Sequence, residues 1–158
     1  MISTWRIAVD TPDYTADDTE GIGAKKTGGR WNRKGTALLY TSTTQALACL
    51  ETIVHLSSGD LPLNRYLIRI DIPDDVWSKR ETLTVDTIQV GWDALPAGKV
   101  SLDIGDQWVS SGRSCILEVP SAIVPDELNV LINPAHPDAV RIKAVKIRKW
   151  HYDARIKP

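Results

Sequence analysis

Short runs of strand-forming residues dominate this sequence, and no regular crossover helices separate them. In each run, β-branched, aromatic or aliphatic residues alternate with polar residues or form a short apolar block. Parallel strands need long crossover connections, whereas antiparallel strands do not. The sequence therefore predicts an α+β fold with mainly antiparallel sheets and disfavours a doubly wound parallel sheet. The predicted strands cover 3–9, 37–41, 65–72, 115–119, 128–132 and 142–150.

Two stretches have the periodicity of helices. Ser42, followed three residues later by Gln45, indicates a capping box at the start of the first helix. Its end is expected around 57–59, where two serines precede a glycine. The second predicted helix covers 101–111 and ends at Gly112. The buried face of the first helix is predicted to consist of Ala46, Leu47, Leu50, Ile53 and Val54.

The remaining segments give weaker signals. Glycines are frequent in 21–29, which predicts an irregular or tightly bent backbone. The strand 65–72 is expected to be half-buried with one polar or edge-like face, and 74–99 is expected to be a long excursion with short strands or turns. On the last strand, Lys146 and Arg148 are expected to face solvent.

Composition and charge restrict the function classes. The chain has 158 residues, of which 42% are hydrophobic and 25% charged, and 1–158 is expected to form one domain. The formal net charge of −1 gives no general attraction to nucleic acids or anionic membranes. No apolar run reaches the length of a membrane span, and the first residues lack the pattern of a signal peptide, so a cytoplasmic protein is expected. In that compartment Cys49 and Cys115 are expected to be reduced rather than paired.

Several common sites are poorly supported. Residues 21–27 lack the glycine that a Walker motif places before its lysine. The histidines His55, His136 and His151 are scattered without a metal-ligand spacing, so no metal is expected. No G-x-S-x-G elbow occurs, although Ser121 and His136 could approach each other in a fold. The basic residues near the C-terminus fit the solvated face of a strand better than a nucleic-acid interface, and they are Arg141, Lys143, Lys146, Arg148, Lys149, Arg155 and Lys157.

The segment 28–51 concentrates three side chains that together suit one reaction. Arg30 follows two glycines, and arginine binds a diphosphate through its planar fork. Tyr40, on the next predicted strand, can offer its ring to a flat heterocycle. Glu51 borders the apolar face of the predicted helix, and a carboxylate in such a place can stabilise a sugar oxocarbenium ion. The three roles describe a site that splits an N-glycosidic bond in a dinucleotide.

Over nearly its whole length, the sequence resembles the RES-domain family, which comprises the toxins of bacterial RES–Xre toxin–antitoxin pairs. The resemblance is weak between about Lys79 and Lys99, whose role stays open. It rests first on the block that contains Gly28, Gly29, Arg30, Trp31, Asn32, Gly35, Tyr40, Thr41, Ser42, Ala46 and Glu51. Further matching residues are Trp5, Arg6, 119–122, Asn129, Leu131, Asn133, Pro134, 136–138 and 153–155.

The resemblance implies a fold like that of the ADP-ribosyltransferases, with a split pair of small antiparallel sheets and flanking helices. It implies NAD as the substrate, cleaved between nicotinamide and ribose, with no cofactor and no metal. Arg30 is then expected to contact the diphosphate or a ribose, and Tyr40 to pack on the nicotinamide or its ribose. Glu51 would stabilise the oxocarbenium ion or orient water. Ser121 would hydrogen-bond the ligand or hold Glu51.

The resemblance leaves parts of the site open. Gly29 and Trp31 are expected to complete the contacts with NAD. The serine after which the family is partly named is assigned to Ser121, but Ser42 and Ser114 remain alternatives.

Three functions follow from the resemblance. The first is a type II toxin that consumes NAD by hydrolysis or phosphorolysis. The second is an ADP-ribosyltransferase that modifies a cellular protein, and the third is an inert module that only binds its partner. The expected partner is an Xre-type antitoxin with a helix-turn-helix domain. The resemblance leaves open whether the toxin forms homo-oligomers or assembles only with that antitoxin.

Overall fold

One mixed sheet of seven strands organises the computed structural model, which describes residues 1–56 and 61–156. The order across the sheet is β4-β5-β6-β2-β1-β3-β7. Neighbouring strands are antiparallel except for the short β4, which runs parallel to β5. The strands are β1 (Ile2–Val9), β2 (Leu39–Ser42), β3 (Arg65–Ile72), β4 (Glu81–Thr82), β5 (Ile116–Pro120), β6 (Leu128–Ile132) and β7 (Lys143–Trp150).

The sheet is nearly divided in two at the centre. Strands β1 and β2 are registered through the single pair Trp5 and Ser42, whereas β1 and β3 are paired along their full eight residues. The block β4-β5-β6-β2 therefore meets the block β1-β3-β7 at a narrow join. The predicted α+β fold with split, mainly antiparallel sheets is confirmed, and the join opens a cleft between β1 and β2.

Four helices and one 3₁₀ turn flank the sheet within the described residues. They are α1 (Ile22–Thr27), α2 (Gln45–Ile53), α3 (Asp74–Ser78), α4 (Lys99–Ser111) and the 3₁₀ turn Pro137–Arg141. The prediction of an irregular backbone over 21–29 is wrong, because α1 occupies most of that segment between Gly21 and Gly28, both in positive-φ conformations. The second predicted helix is confirmed as α4, which ends at Gly112.

The first predicted helix begins later than its capping signal indicated. Thr44 is the N-cap, and its side-chain oxygen accepts a hydrogen bond from the Leu47 amide. Ser42 is instead the last residue of β2 and donates its hydroxyl hydrogen to Asn129. The helix ends at Ile53, and the predicted end at 57–59 lies outside the described residues.

The buried face of α2 also differs from the prediction. Leu47 and Ala48 are buried, whereas Ala46 and Val54 are exposed. The reason is that α2 packs on the sheet near β1, where Ala48 meets Ile7 and Leu67 in a small apolar cluster. This packing turns Glu51 toward the cleft.

The outer strands follow their residue patterns in part. Ile68, Ile70 and Ile72 of β3 are fully buried, as the alternation predicted. The edge-like character of β3 is wrong, because β3 lies between β1 and β7 and the true edge strand is β7. Lys146 and Arg148 are exposed on β7 as expected.

Candidate active site

Glu51 lies at the centre of a hydrogen-bond network that joins three elements. One carboxylate oxygen, Oε1, accepts a hydrogen bond of 2.7 Å from the hydroxyl of Ser121, 70 residues away in sequence. The same oxygen accepts a second bond of 2.7 Å from Nδ2 of Asn129 on β6. The contact between Glu51 and Ser121 that the sequence analysis anticipated is therefore present, and Asn129 joins it.

The network also fixes where the hydrogens lie. The Ser121 oxygen accepts bonds from the amides of Ile123 and Val124, so its single hydrogen is directed at Glu51. Both donors point at Oε1, which leaves that oxygen acting only as an acceptor. Among the described residues Oε2 has no hydrogen-bond partner. Oε2 is therefore the oxygen that is free to face a ligand.

Arg30 is held against the segment that follows α3 and β4. Its Nη1 donates to the carbonyl oxygen of Trp92 at 3.0 Å and to that of Ala94 at 2.9 Å. Both acceptors are neutral, so the positive charge of Arg30 has no counter-ion in these two bonds. Arg30 lines the cavity described below and can still attract an anion there.

Tyr40 supports the glycine-rich turn through its hydroxyl group. The hydroxyl donates to Oδ1 of Asn32 at 2.6 Å and accepts from the Trp31 amide at 2.9 Å. Burial raises the pKa of the Tyr40 phenol far above its usual value, so the group stays protonated. A side chain on Gly29 would lie 2.6 Å from the hydroxyl oxygen, which explains why glycine occupies that position. The proposed packing of the Tyr40 ring on NAD stays a prediction.

Trp31 lies mostly beneath the cavity surface. Its side chain is 2% exposed and stacks on Trp92 with ring centroids 6.1 Å apart. This burial favours a supporting role for the indole over direct contact with a ligand. Helix α4 packs behind it, and the main chain of Gly105 lies against the Trp31 carbonyl. On the surface, Arg33 bridges to Asp103 and Asp106 of α4.

Arg6 on β1 is a cavity residue to which the sequence analysis gave no role. Its Nε is buried and has no hydrogen-bond partner within 1–56 and 61–156, and Nη1 makes one long bond of 3.4 Å to the Tyr40 carbonyl. Burial lowers the pKa of Arg6, while the nearby Asp18 opposes this effect. The signal that could have singled it out is an arginine followed directly by the apolar residues 7–9 of the same predicted strand.

These residues face one large cavity of about 1280 Å³, a volume that can accommodate a dinucleotide. More cationic than acidic side chains line it, although the chain as a whole is slightly acidic. The cations are Arg6, Arg30, Arg33, Lys34 and Arg65, and the acids are Asp18 and Glu51. The cavity therefore suits an anionic ligand.

The other candidate residues lie in different settings. Ser114 donates to Glu81 and accepts from the Trp108 indole, so it belongs to a separate cluster near α4. Nδ1 of His136 accepts from the Asp138 amide in the 3₁₀ turn, while the Ser121 hydroxyl is directed at Glu51. Both cysteines are free. In the part of the chain that the structure describes, no group of three or more potential ligand side chains could hold a metal, and no helix is long and apolar enough to span a membrane.

Comparison with known proteins gives a consistent result. The family model described as the RES domain matches residues 3–155. The chain is 59% identical over 154 residues to the Prs ADP-ribosylating toxin of Sphingobium sp. strain YBL2, covering 98% of this chain and 96% of that protein. It is 36% identical over 144 residues to Toxin Res of Photorhabdus laumondii, covering 90% of each chain. Toxin Res of Yersinia enterocolitica is also 36% identical, over 145 residues that cover 91% of this chain and 93% of the relative.

Proposed function

The chain belongs to the RES-domain family, whose fold is ADP-ribosyltransferase-like, and from that membership we propose that it is a toxin that cleaves NAD between nicotinamide and ribose. The observation that carries the proposal is the Glu51 carboxylate, which is held through Oε1 and free at Oε2 on the wall of a cationic cavity. The reaction needs both features. An anion must meet the charge that develops on the ribose, and cations must hold the diphosphate.

The bond-breaking step is the same for every acceptor. The glycosidic bond to nicotinamide breaks, its electron pair leaves with the neutral nicotinamide, and the ribose becomes an oxocarbenium ion. Oε2 of Glu51 faces this positive charge and lowers the barrier by electrostatic stabilisation. Arg30 and Arg6 bind the diphosphate and orient it, since neither has a carboxylate partner among the described residues.

For the second half of the reaction, we propose a protein acceptor. The support is the name of the relative at 59% identity, an ADP-ribosylating toxin that acts on Prs. The acceptor nucleophile attacks the ribose carbon and loses its proton, which Oε2 of Glu51 can take. The Prs protein of the cell that produces the toxin is the first acceptor to test. Hydrolysis or phosphorolysis would instead transfer the same ADP-ribose unit to water or phosphate, without a metal or cofactor in either case.

Membership of the family also suggests where the toxin acts and which protein binds it. We propose that the toxin acts in the cytoplasm and is paired with an antitoxin of the Xre type, which carries a helix-turn-helix domain and blocks the cavity. We leave its oligomeric state to measurement of the toxin with and without this partner. An inert binding module would keep the partner contact and show no NAD turnover.

The test is product analysis with purified, antitoxin-free protein. Incubation with NAD, alone, with phosphate or with Prs, followed by mass spectrometry, is expected to show free nicotinamide and ADP-ribosylated Prs. Glu51→Gln is expected to lower nicotinamide release on the order of 10²- to 10³-fold, because the ionised oxygen is lost. Glu20→Gln, at an exposed position, is the matched control and should keep full activity. Nicotinamide release that is unchanged in Glu51→Gln would refute the assignment.

A further inference from the structure

Asn129 occupies a position from which it can control the orientation of Glu51. It lies on β6 directly opposite Ser42 of β2 in the antiparallel pairing. Its amide group makes two bonds of 2.7 Å, accepting from the Ser42 hydroxyl through Oδ1 and donating to Glu51 through Nδ2. A continuous chain therefore runs from Ser42 through Asn129 to the carboxylate.

A carboxylate only accepts hydrogen bonds, whereas the Ser42 hydroxyl can donate or accept, so Glu51 sets the orientation of the amide and the Ser42 hydroxyl stabilises it by donating to Oδ1. With Ser42 donating to Oδ1, Nδ2 must point at Glu51 and meets the carboxylate oxygen as a donor. In the flipped amide, Oδ1 would face Oε1 across the same short distance without a hydrogen between two acceptors. The flipped arrangement is compatible only with a protonated Glu51, which could not serve as the anion of the reaction.

We propose that Asn129, held by Ser42, is a positioning residue that donates to the Glu51 carboxylate and keeps it turned so that Oε2 faces the ribose of NAD. This inference rests on the proposed function. Ser121 and Asn129 both donate a hydrogen bond to Oε1 of Glu51, and they come from different segments, one after β5 and one on β6. Two donors to one oxygen fix the carboxylate plane more firmly than either does alone.

The informative variant is Asn129→Asp, which keeps the size of the side chain and replaces the donor by an acidic oxygen. Two carboxylates would then lie within hydrogen-bond distance and share a proton. The rate constant kcat for nicotinamide release is expected to fall about 10- to 100-fold, the effect of one hydrogen bond to a charged group. KM for NAD should change little, and the acidic limb of the pH–rate profile should move up by roughly one unit or more.

Two further variants separate positioning from folding. Ser42→Ala keeps Asn129 but removes the donor that holds its amide, so it should give a smaller loss of kcat with little change in KM for NAD. Thr41→Val is the matched control, since the Thr41 hydroxyl donates to the Val130 carbonyl and joins the same two strands without touching Glu51. It should keep the wild-type pH profile.

The outcomes distinguish this inference from the proposed function. A wild-type kcat in Asn129→Asp and Ser42→Ala would overturn the inference, as would a loss of activity that appears only as a raised KM. If the wild-type protein releases no nicotinamide, the proposed function fails. The inference is then decided by the carboxyl-carbon NMR chemical shift of Glu51 without NAD, where a value unchanged in Asn129→Asp and Ser42→Ala would overturn it.

Discussion

At the scale of single residues, Tyr40 shows how a side chain can serve the site without touching a substrate. Its hydroxyl ties Asn32 to the Trp31 amide, and the Asn32 amide in turn donates to the carbonyls of Ala24 and Thr36. Asn32 is fully buried. Buried hydrogen bonds therefore stabilise the turn that carries Arg30.

The change Tyr40→Phe tests this support. It leaves the Trp31 amide and the Asn32 oxygen without their partner, so the free energy of unfolding should fall by about 1–3 kcal/mol. The alkaline limb of the pH–rate profile should stay unchanged, because burial keeps the phenol protonated in the wild type. Denaturant titration and a rate profile up to pH 10 measure both effects. Tyr66→Phe is the control, and equal stability of the two variants would contradict the role given to Tyr40.

Candidate site residues could be predicted where the chemistry of the side chain by itself suggests a role. Arg30, Tyr40 and Glu51 line one cavity and Ser121 donates to Glu51, whereas their contacts with NAD stay a prediction. Asn129 received no role, because an asparagine at a strand position gives no sign of what lies across the sheet. Its donor bond to Glu51 spans 78 residues, and only the pairing of β2 with β6 creates it.

At the scale of elements, the contact between α4 and the Trp31 turn is tighter than any other glycine contact described. An added Cβ on Gly105 would lie 1.6 Å from the carbonyl oxygen of Trp31, a main-chain atom that cannot move aside alone. The helix must approach this closely for Trp108 and Trp31 to share one apolar cluster. Gly105 therefore sets the distance between α4 and the turn that carries Arg30.

The substitution Gly105→Ala should push α4 away from the turn despite the better helix propensity of alanine. We expect the free energy of unfolding to fall by at least about 2 kcal/mol, as in overpacked cores, and KM for NAD to rise because Arg30 is displaced. Gln107→Ala, on the exposed face of α4, is the matched control and should leave both quantities near wild type. Chemical denaturation and initial-rate kinetics provide the measurements, and wild-type values in Gly105→Ala would refute the role of this contact.

Local sequence signals predicted which helices and strands form better than they predicted the residues at which each one begins and ends. Helix α4 was found because its periodicity runs for three turns and a glycine stops it. Ser42 is the better N-cap by residue type, but it pairs with Asn129 on β6 as the last residue of β2, so Thr44 caps the helix instead. The six-residue α1 was missed because Gly23 lies within it and Gly21 and Gly28 flank it, and so short a helix depends on its surroundings.

At the scale of the whole molecule, the split sheet gathers cationic side chains around one cavity, although the protein as a whole is slightly acidic. The narrow join at Trp5 and Ser42 could not be predicted, because strand patterns do not reveal how many residues two strands pair. The join nevertheless places the β1 residue Arg6 beside the Tyr40 carbonyl and into the cavity. Arg6 is half-buried, and its buried, unpaired Nε costs stability in the ligand-free protein and can bind an anion in the cavity.

Arg6→Gln should therefore change stability and binding in opposite directions. Removing the unpaired buried charge is expected to raise the free energy of unfolding by about 1 kcal/mol or more. Losing a charged contact with the diphosphate is expected to raise KM for NAD about 10-fold or more and to weaken its dependence on ionic strength. Arg148→Gln removes the same charge from the exposed edge strand and is the control, expected to alter neither quantity. Denaturant unfolding measures the change in stability, and kinetics at several salt concentrations measure the change in KM for NAD. A variant that loses stability while binding NAD normally would show that Arg6 serves the fold alone.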